Sequence, residues 1–146
     1  MKDVSRFLSL GTYAIAGVSR DPKKFGQVMF RDLRKKGMDV VPVNPGAETI
    51  DGVKCYRSVS DLPENIKGVI FMTPKEETLA VAREAIAHGI NDLWIQQGAE
   101  SKQTIAELEK EEVNLIHNQC IMMFWKPNGV HSFHRFLKKI FGGLPA

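Results

Sequence analysis

The sequence has few cysteines, no strong excess of one charge and no long apolar run. Cys55 and Cys120 stand far apart, whereas a disulfide framework or a cysteine-based zinc site needs more cysteines in closer pairs. The 20 basic and 17 acidic residues leave a net charge of +3, too little for a general nucleic-acid binder with its basic stripe. No run approaches the roughly 20 apolar residues of a membrane span, and residues 1–11 hold no signal-peptide stretch. We therefore expect a cytoplasmic protein that binds neither nucleic acid nor membranes.

The remaining composition is that of an ordinary folded domain. The chain has 146 residues, of which 43% are hydrophobic and 25% charged, close to the averages of soluble globular proteins. This length suits a single hydrophobic core. We therefore expect residues 1–146 to form one domain, and its slight positive charge is compatible with one small phosphate-bearing ligand.

Strands alternate with helices along the whole chain. Short apolar runs predict five buried strands: Tyr13–Val18, Asp39–Val43, Gly68–Met72, Asp92–Ile95 and Asn114–His117. Pro42 suits a strand at the edge of the sheet or one that ends there. The stretch from Ala47 to Pro63 is predicted to be irregular, with a helical turn at Ser60–Leu62. The pattern predicts an α/β, Rossmann-like three-layer fold: a mostly parallel five-stranded sheet with helices on both faces.

Three helices are expected between these strands: one over Gly26–Lys36, a second that ends at His88 before Gly89, and a third capped by Ser101. The second helix has a marked start signal. Thr73 can accept from free N–H groups, Pro74 suits the first helical position, and Glu76 completes a capping box. We therefore expect this helix to begin at Thr73 and Pro74.

The loop from Gly17 to Gly26 has the residues of a phosphate site. Ligands of such folds bind beyond the carboxyl ends of the strands, where the strand order reverses, and this loop follows the first strand. Gly17 allows a sharp turn, and Gly26 stands at a helix start, where free N–H groups favour an anion. Ser19 adds a hydroxyl, and Arg20 and Lys24 add positive charge. The alternative is an exposed polar loop, since neither the dinucleotide fingerprint nor the Walker motif is present.

The end of the second strand lacks a carboxylate. Dehydrogenases that use NAD place an Asp or Glu there to hold the ribose hydroxyl groups, and this chain has Val43-Asn44-Pro45. The absence argues against NAD and is compatible with NADP or coenzyme A. The alternative is that Asn44-Pro45-Gly46 is only a turn.

Five ordered segments resemble the CoA-binding domain family of small bacterial and archaeal proteins, and together they span about residues 10–123. They are Gly17–Pro22, Pro42–Pro45, Cys55–Ser58 with Asp61–Pro63, Trp94–Glu100 and Cys120–Met123. The chain is also similar, more distantly, to the CoA-binding domain of the succinyl-CoA synthetase alpha subunit.

The resemblance implies a domain that binds coenzyme A or acyl-CoA. It implies that the first loop holds the nucleotide, that Asn44 and Pro45 line the adenosine side, and that Thr73 and Pro74 close the site. The full set of expected contacts is Gly17, Val18, Ser19, Arg20, Lys24, Phe25, Gly26, Asn44, Pro45, Tyr56, Thr73 and Pro74. The synthetase passes a phosphoryl group through a histidine in a second domain and needs a partner subunit, and no histidine here matches that role. We therefore expect binding with no catalytic residue and no metal; the alternatives are a partner-dependent acyl-CoA ligase component and an NADP-dependent reductase.

Two further groups lie near the ends of the later strands. His117 and Cys120 could form a nucleophile pair, but this needs mutual reach and an orienting group; otherwise they are a strand-end histidine and a half-buried thiol. Residues Gln96–Gly98 could donate hydrogen bonds to a ligand, or they could simply lead into the following helix.

The stretch His131–Phe141 is predicted to be a basic amphipathic helix. The apolar face of such a helix most often packs against another surface, so this helix could bind a second copy of the chain or another protein. Attachment to a membrane surface is an alternative that the short length disfavours. His131 and His134 lack the further ligands that a metal site needs.

Overall fold

The computed structural model describes residues 2–125, over which helices and strands alternate. The helices are α1 (Val4–Leu8), α2 (Phe25–Lys35), α3 (Lys75–Ala87) and α4 (Lys102–Leu108). The strands are β1 (Thr12–Ala16), β2 (Asp39–Val43), β3 (Thr49–Ile50), β4 (Val53–Lys54), β5 (Gly68–Phe71), β6 (Asp92–Gln96) and β7 (Asn114–Gln119). Within residues 2–125, no helix is long and apolar enough to cross a membrane. The helix expected at His131–Phe141 lies outside the described residues.

Five strands form one parallel sheet in the order β2-β1-β5-β6-β7. This confirms the predicted Rossmann-like α/β fold. The order reverses at β1, because β2 lies on one side of it and β5 on the other. β2 is an edge strand, as Pro42 predicted, and its outer side pairs with the segment after β4: the Tyr56 amide donates to the Pro42 carbonyl at 3.0 Å.

Side chains of β1 divide the interior into two cores. Tyr13 and Ile15 point to the face covered by α1 and α2, whereas Ala14 and Ala16 point to the face covered by α3. All four are fully buried or nearly so, which is what a parallel strand with helices on both faces requires. The continuous apolar run in the sequence therefore reflects burial on two sides.

Helix α1 was not predicted from the sequence. Phe7 fastens it to the sheet: the ring centroid lies 5.3 Å from that of Tyr13 and 5.3 Å from that of Trp94. The Tyr13 hydroxyl donates to the Phe7 carbonyl at 2.6 Å, and burial raises the pKa of Tyr13. Arg6 adds an ion pair with the buried Asp92 of β6 at 2.9 Å. Helix α1 thus joins β1 to β6 across β5.

The structure corrects two local predictions. The segment Ala47–Pro63, predicted to be irregular, contains the antiparallel hairpin β3–β4 as well as a 3₁₀ turn at Val59–Asp61. Helix α3 begins at Lys75 with Pro74 as its N-cap, and no side chain caps it. The predicted cap at Thr73 was wrong because Pro74 is the N-cap, so Thr73 lies one residue before the capping position; its hydroxyl lies 2.6 Å from that of Thr78 instead.

Candidate functional site

A cleft lies at the carboxyl ends of β2, β1 and β5, where the strand order reverses. Its volume is about 420 Å³, within the range of small-molecule sites. The loops after β1, β2 and β5 supply most of the wall, and the segment after β4 and one face of α3 supply the rest. The lining residues are Ala16, Gly17, Val18, Ser19, Val43, Asn44, Pro45, Arg57, Ser58, Thr73, Pro74, Glu77, Val81 and Glu84.

Two glycines let the first loop close against its neighbours. Gly17 has a φ of +93°, and a Cβ there would lie 2.7 Å from the carbonyl of Met72. A Cβ on Gly26 would lie 2.8 Å from the carbonyl oxygen of Gly17. Both distances are shorter than side chains tolerate, so the loop needs glycine at each position for close backbone approach. The start of α2 and the end of β5 therefore meet at Gly17.

Side-chain amides hold the first loop in place. The Asn44 amide nitrogen donates to the Val18 carbonyl at 2.7 Å, and its oxygen accepts from the Gly46 amide at 2.7 Å. The buried Gln27 of α2 donates to the Ser19 carbonyl at 3.0 Å. Asn44 thus serves as a brace between the loops after β1 and β2.

The two long helices that begin at the cleft differ in charge. Helix α2 has Lys24 as its N-cap and no acidic residue in its first turn, and no side chain caps it. Helix α3 also has no side-chain cap, but Glu76 and Glu77 stand in its first turn. Because a helix N-terminus carries partial positive charge, both starts favour anions, and only that of α3 is already offset by carboxylates. An anionic ligand group is therefore favoured at α2.

The structure brings most of the predicted residues together. Seven of them line the cleft: Gly17, Val18, Ser19, Asn44, Pro45, Thr73 and Pro74. Four others stand beside it at the start of α2: Arg20, Lys24, Phe25 and Gly26, of which Gly26 packs on Gly17. The exposed Arg20 reaches the loop after β2 (residues 44–48), called the second loop below, where its guanidinium donates to the Gly46 carbonyl at 3.3 Å.

Tyr56 takes a different place from the rest of the set. It is half-buried outside the cleft lining, its backbone pairs with β2, and the Lys54 ammonium lies 5.2 Å from its ring centroid. Its neighbours Arg57 and Ser58 line the cleft instead.

Sequence reasoning missed the wall that α3 contributes. Glu77, Val81 and Glu84 line the cleft at spacings of four and three residues, which place them on one helix face. The Ser58 hydroxyl donates to the Glu84 carboxylate at 3.2 Å and so ties the segment after β4 to α3. The signal available in the sequence was this i, i+4, i+7 pattern on a helix that follows a strand end.

On the other half of the same sheet edge, at the ends of β6 and β7, side chains of the protein accept hydrogen bonds from the loop amides. The Glu100 carboxylate accepts from the Gly98 amide at 3.1 Å and from the Asn118 amide at 3.3 Å. The buried Gln96 accepts from the Ile121 amide at 3.0 Å, so its side-chain oxygen is used inside the fold. Ser101 caps α4, as predicted, by accepting from Thr104.

His117 and Cys120 do not form a nucleophile pair in this arrangement. The His117 Nε2 lies 3.8 Å from Glu109 Oε1, and within residues 2–125 no hydrogen bond joins the imidazole to the Cys120 thiol. Burial lowers the pKa of His117, and the charge of Lys2 lowers it further. Over the described part of the chain, no group of three His, Cys, Asp or Glu residues could hold a metal ion.

Cys55 lies directly beneath the second loop. Its thiol contacts the Asn44 carbonyl at 3.6 Å, and burial raises its pKa. A raised pKa keeps the thiol protonated and slow to react. Cys55 and Cys120 are both free thiols.

Comparisons with known proteins bear on the family and the fold of the chain. The family model of the CoA binding domain matches residues 11–126. The alpha subunit of the ADP-forming acetate–CoA ligase II of Pyrococcus furiosus is 31% identical over 88% of this chain and 29% of its own length. The chain thus spans under a third of that curated relative.

Two solved structures resemble the fold over most of the described residues. A conserved hypothetical protein from Pyrococcus furiosus is 42% identical, with a TM-score of 0.73 over 76% of this chain and 96% of its own. The dinucleotide-forming acetyl-coenzyme A synthetase 1 of Candidatus Korarchaeum cryptofilum, in complex with phosphate and ADP, is 26% identical, with a TM-score of 0.68 over 79% of this chain and 27% of its own.

Proposed function

The chain belongs to the CoA binding domain family, and from that premise we propose that it binds coenzyme A, free or acylated, in the cleft at the ends of β2, β1 and β5. The observation that carries the proposal is the first loop, where Gly17 and Gly26 bring the start of α2 against the end of β5. In this proposal the protein holds its ligand and performs no chemistry on it. Residues 1–146 act as one binding domain in the cytoplasm, in keeping with two free thiols.

The phosphates of the ligand bind at the start of α2. This position has free helix N–H groups, a lysine as N-cap and no acidic residue in the first turn. Arg20 stands beside it, held toward the second loop by its contact with Gly46. Lys24 and Arg20 supply the positive charge that phosphate groups require.

The nucleoside lies deeper in the cleft, between Asn44 and Pro45 on one side and Thr73 and Pro74 on the other. A volume of about 420 Å³ is near the lower end for small-molecule sites. We therefore place one end of the ligand in the cleft and the pantetheine arm along the surface. No carboxylate follows β2 at Val43-Asn44-Pro45, which supports coenzyme A over NAD.

Calorimetric titration tests this proposal directly. Coenzyme A should bind, dephospho-coenzyme A should bind more weakly if the basic loop reads the 3′-phosphate, and NAD should not bind. Tight binding of NADP without binding of coenzyme A would overturn the choice of ligand and direct the search to a reductase. No heat and no thermal shift at millimolar coenzyme A would overturn the proposal as a whole.

Replacing Arg20 tests the role of the loop. Arg20→Ala should weaken coenzyme A binding by about 1.5–3 kcal/mol, the size of a hydrogen bond to a charged group. Arg83→Ala is the matched control, because Arg83 is also exposed and its guanidinium pairs with Glu107 outside the cleft lining. Equal affinities of the two variants would remove Arg20 from the site.

A second function is favoured by the ligase relative. The matched alpha subunit is named as part of an ADP-forming acetate–CoA ligase, so this chain could supply the CoA site of a partner-dependent acyl-CoA ligase. In that case a separately encoded protein with an ATP-binding domain should co-purify with it, and the pair should form acyl-CoA when given ATP and an acid. Absence of such a partner from pull-downs would count against this function.

A further inference from the structure

The hydroxyls of Thr73 and Thr78 form a short chain that leads from the cleft into the fold. Thr73 lines the cleft and is 8% exposed, while Thr78 is fully buried. The two Oγ1 atoms are 2.6 Å apart. The Thr78 Oγ1 also lies 2.7 Å from the Ala99 carbonyl and 3.2 Å from that of Pro74.

Counting protons fixes the direction of this chain. A carbonyl oxygen only accepts, and each threonine hydroxyl has one proton to donate. The short contact from Thr78 to the Ala99 carbonyl therefore uses the Thr78 proton. The contact between the two hydroxyls then needs the proton of Thr73. The opposite direction would leave the Ala99 oxygen 2.7 Å from another oxygen, buried, with no proton between them, which is unfavourable.

Thr73 consequently has only lone pairs left for any group that enters the cleft. The same wall carries Glu77 and Glu84 from α3, and ionised carboxylates also accept only. The start of α2 has no acidic residue in its first turn. The cleft and its surroundings thus differ in polarity: the start of α2, beside the cleft, suits an anion, and the wall that α3 contributes suits a hydrogen-bond donor.

We propose that Thr73 determines specificity by accepting a hydrogen bond from a neutral N–H or O–H group of the ligand, and that its orientation toward Thr78 disfavours a phosphate at this wall. This inference rests on the proposed function, because it assigns one contact of bound coenzyme A. A ribose hydroxyl or an adenine amino group offers such a donor at the nucleotide end, and an amide N–H offers one in the pantetheine arm.

The direction of the hydrogen bonds from Thr73 through Thr78 to Ala99 can be measured in the protein without ligand. Nuclear magnetic resonance can detect the hydroxyl proton of a buried threonine when its exchange with water is slow. The Thr78 proton should show coupling across its hydrogen bond to the Ala99 carbonyl carbon, and the Thr73 proton should show close contact with the Thr78 side chain. A Thr78 proton directed at Thr73 would overturn the inference.

Ligand binding tests the specificity. Thr73→Val should weaken coenzyme A binding about fivefold to tenfold, as loss of one neutral hydrogen bond does, while Thr73→Ser should bind like the wild type. Thr104→Val is the matched control, because Thr104 is also buried and its hydroxyl accepts from Ser101, outside the cleft lining.

Two fragments identify the source of the donor. Adenosine 3′,5′-bisphosphate and pantetheine are titrated separately against the wild type and Thr73→Val. Only the fragment that carries the donor should bind Thr73→Val more weakly than the wild type. Wild-type binding of coenzyme A with no change in Thr73→Val would overturn this inference and leave the proposed function intact. Failure of the wild type to bind coenzyme A would overturn both.

Discussion

The two halves of the carboxyl edge of the sheet differ in how their backbone amides find hydrogen-bond acceptors. At the ends of β6 and β7, protein side chains meet the backbone amides: Glu100 accepts from Gly98 and Asn118, and Ser101 caps α4. At the ends of β2, β1 and β5, helices α2 and α3 begin with no side-chain cap. Since the first N–H groups of a helix need a partner, the two halves differ at their helix starts: α4 takes an acceptor from Ser101, whereas α2 and α3 leave their first amides to a ligand or to water.

The largest expected effect comes from a substitution at Gly17, in the loop that precedes the uncapped helix α2. Gly17→Ala places a methyl group 2.7 Å from the Met72 carbonyl at a φ of +93°. We expect a loss of about 2–6 kcal/mol in the free energy of unfolding, from backbone strain and steric overlap together. Binding of coenzyme A should be lost with it. Urea denaturation and calorimetry measure the two effects.

Gly98→Ala is the control from the other half of the edge. Gly98 has a φ of +100°, but a Cβ there meets nothing within 4 Å. Strain alone should therefore cost about 1–2 kcal/mol, with ligand binding retained. If Gly17→Ala and Gly98→Ala lost equal stability, close approach of the Met72 backbone would not explain the need for glycine at position 17.

Removing Glu100 should leave loop amides at the ends of β6 and β7 without their side-chain acceptor. Glu100→Ala leaves the amides of Gly98 and Asn118 without their carboxylate, and we expect a loss of about 1–2 kcal/mol in the free energy of unfolding because the site is partly open to water. Inorganic phosphate should stabilise this variant more than the wild type, as measured by melting temperature. Glu112→Ala, at an exposed carboxylate, should change stability by less than about 0.5 kcal/mol. A similar response of both variants to phosphate would contradict the idea that Glu100 occupies an anion position.

The smallest expected effect is a pH dependence at His117. Burial lowers its pKa in the folded state, with Lys2 adding to the shift and Glu109 and Glu100 opposing it. The unfolded chain, with a histidine pKa of about 6.5, then binds the proton more readily than the folded protein. The free energy of unfolding should therefore fall as the pH falls through about 6.5 toward the folded pKa.

Urea midpoints across this pH range measure the effect. His117→Gln should flatten the curve. Glu100→Ala should steepen it, because that variant loses a charge that favours the protonated imidazole. A stability of the wild type that rises as the pH falls would contradict the sign.

The sheet was predictable because its signals are local and repeated. Each buried strand is an apolar run, and Pro42 suits the place of β2 at the edge of the sheet. Helix α1 left no such signal, since its five residues depend on packing of Phe7 between Tyr13 and Trp94, of which Trp94 is distant in sequence. Short elements of this kind are stabilised by tertiary contacts more than by propensity.

The site was predictable where it depends on loops that directly follow strands. Gly17, Asn44 and Thr73 lie at strand ends, and the rule for ligand position in parallel sheets finds them. Arg57 and Glu84 reach the cleft only because the segment after β4 and one face of α3 turn toward it. No sequence motif at a strand end predicts either orientation. The error at Thr73 concerns one position in the sequence: the helix begins at Lys75 with Pro74 as its N-cap, so Thr73 stands one residue too early to cap it.

The cleft has a consequence for the order in which the protein is made. Every residue that lines the cleft falls between Ala16 and Glu84, so the ribosome adds all of them before it reaches β6, α4 and β7. Helix α1 is synthesised before the cleft residues, but two of the residues that it contacts, Trp94 and Asp92, are added after them. All residues that line the cleft are therefore present in the nascent chain before the contacts that fasten α1 to β6 can form.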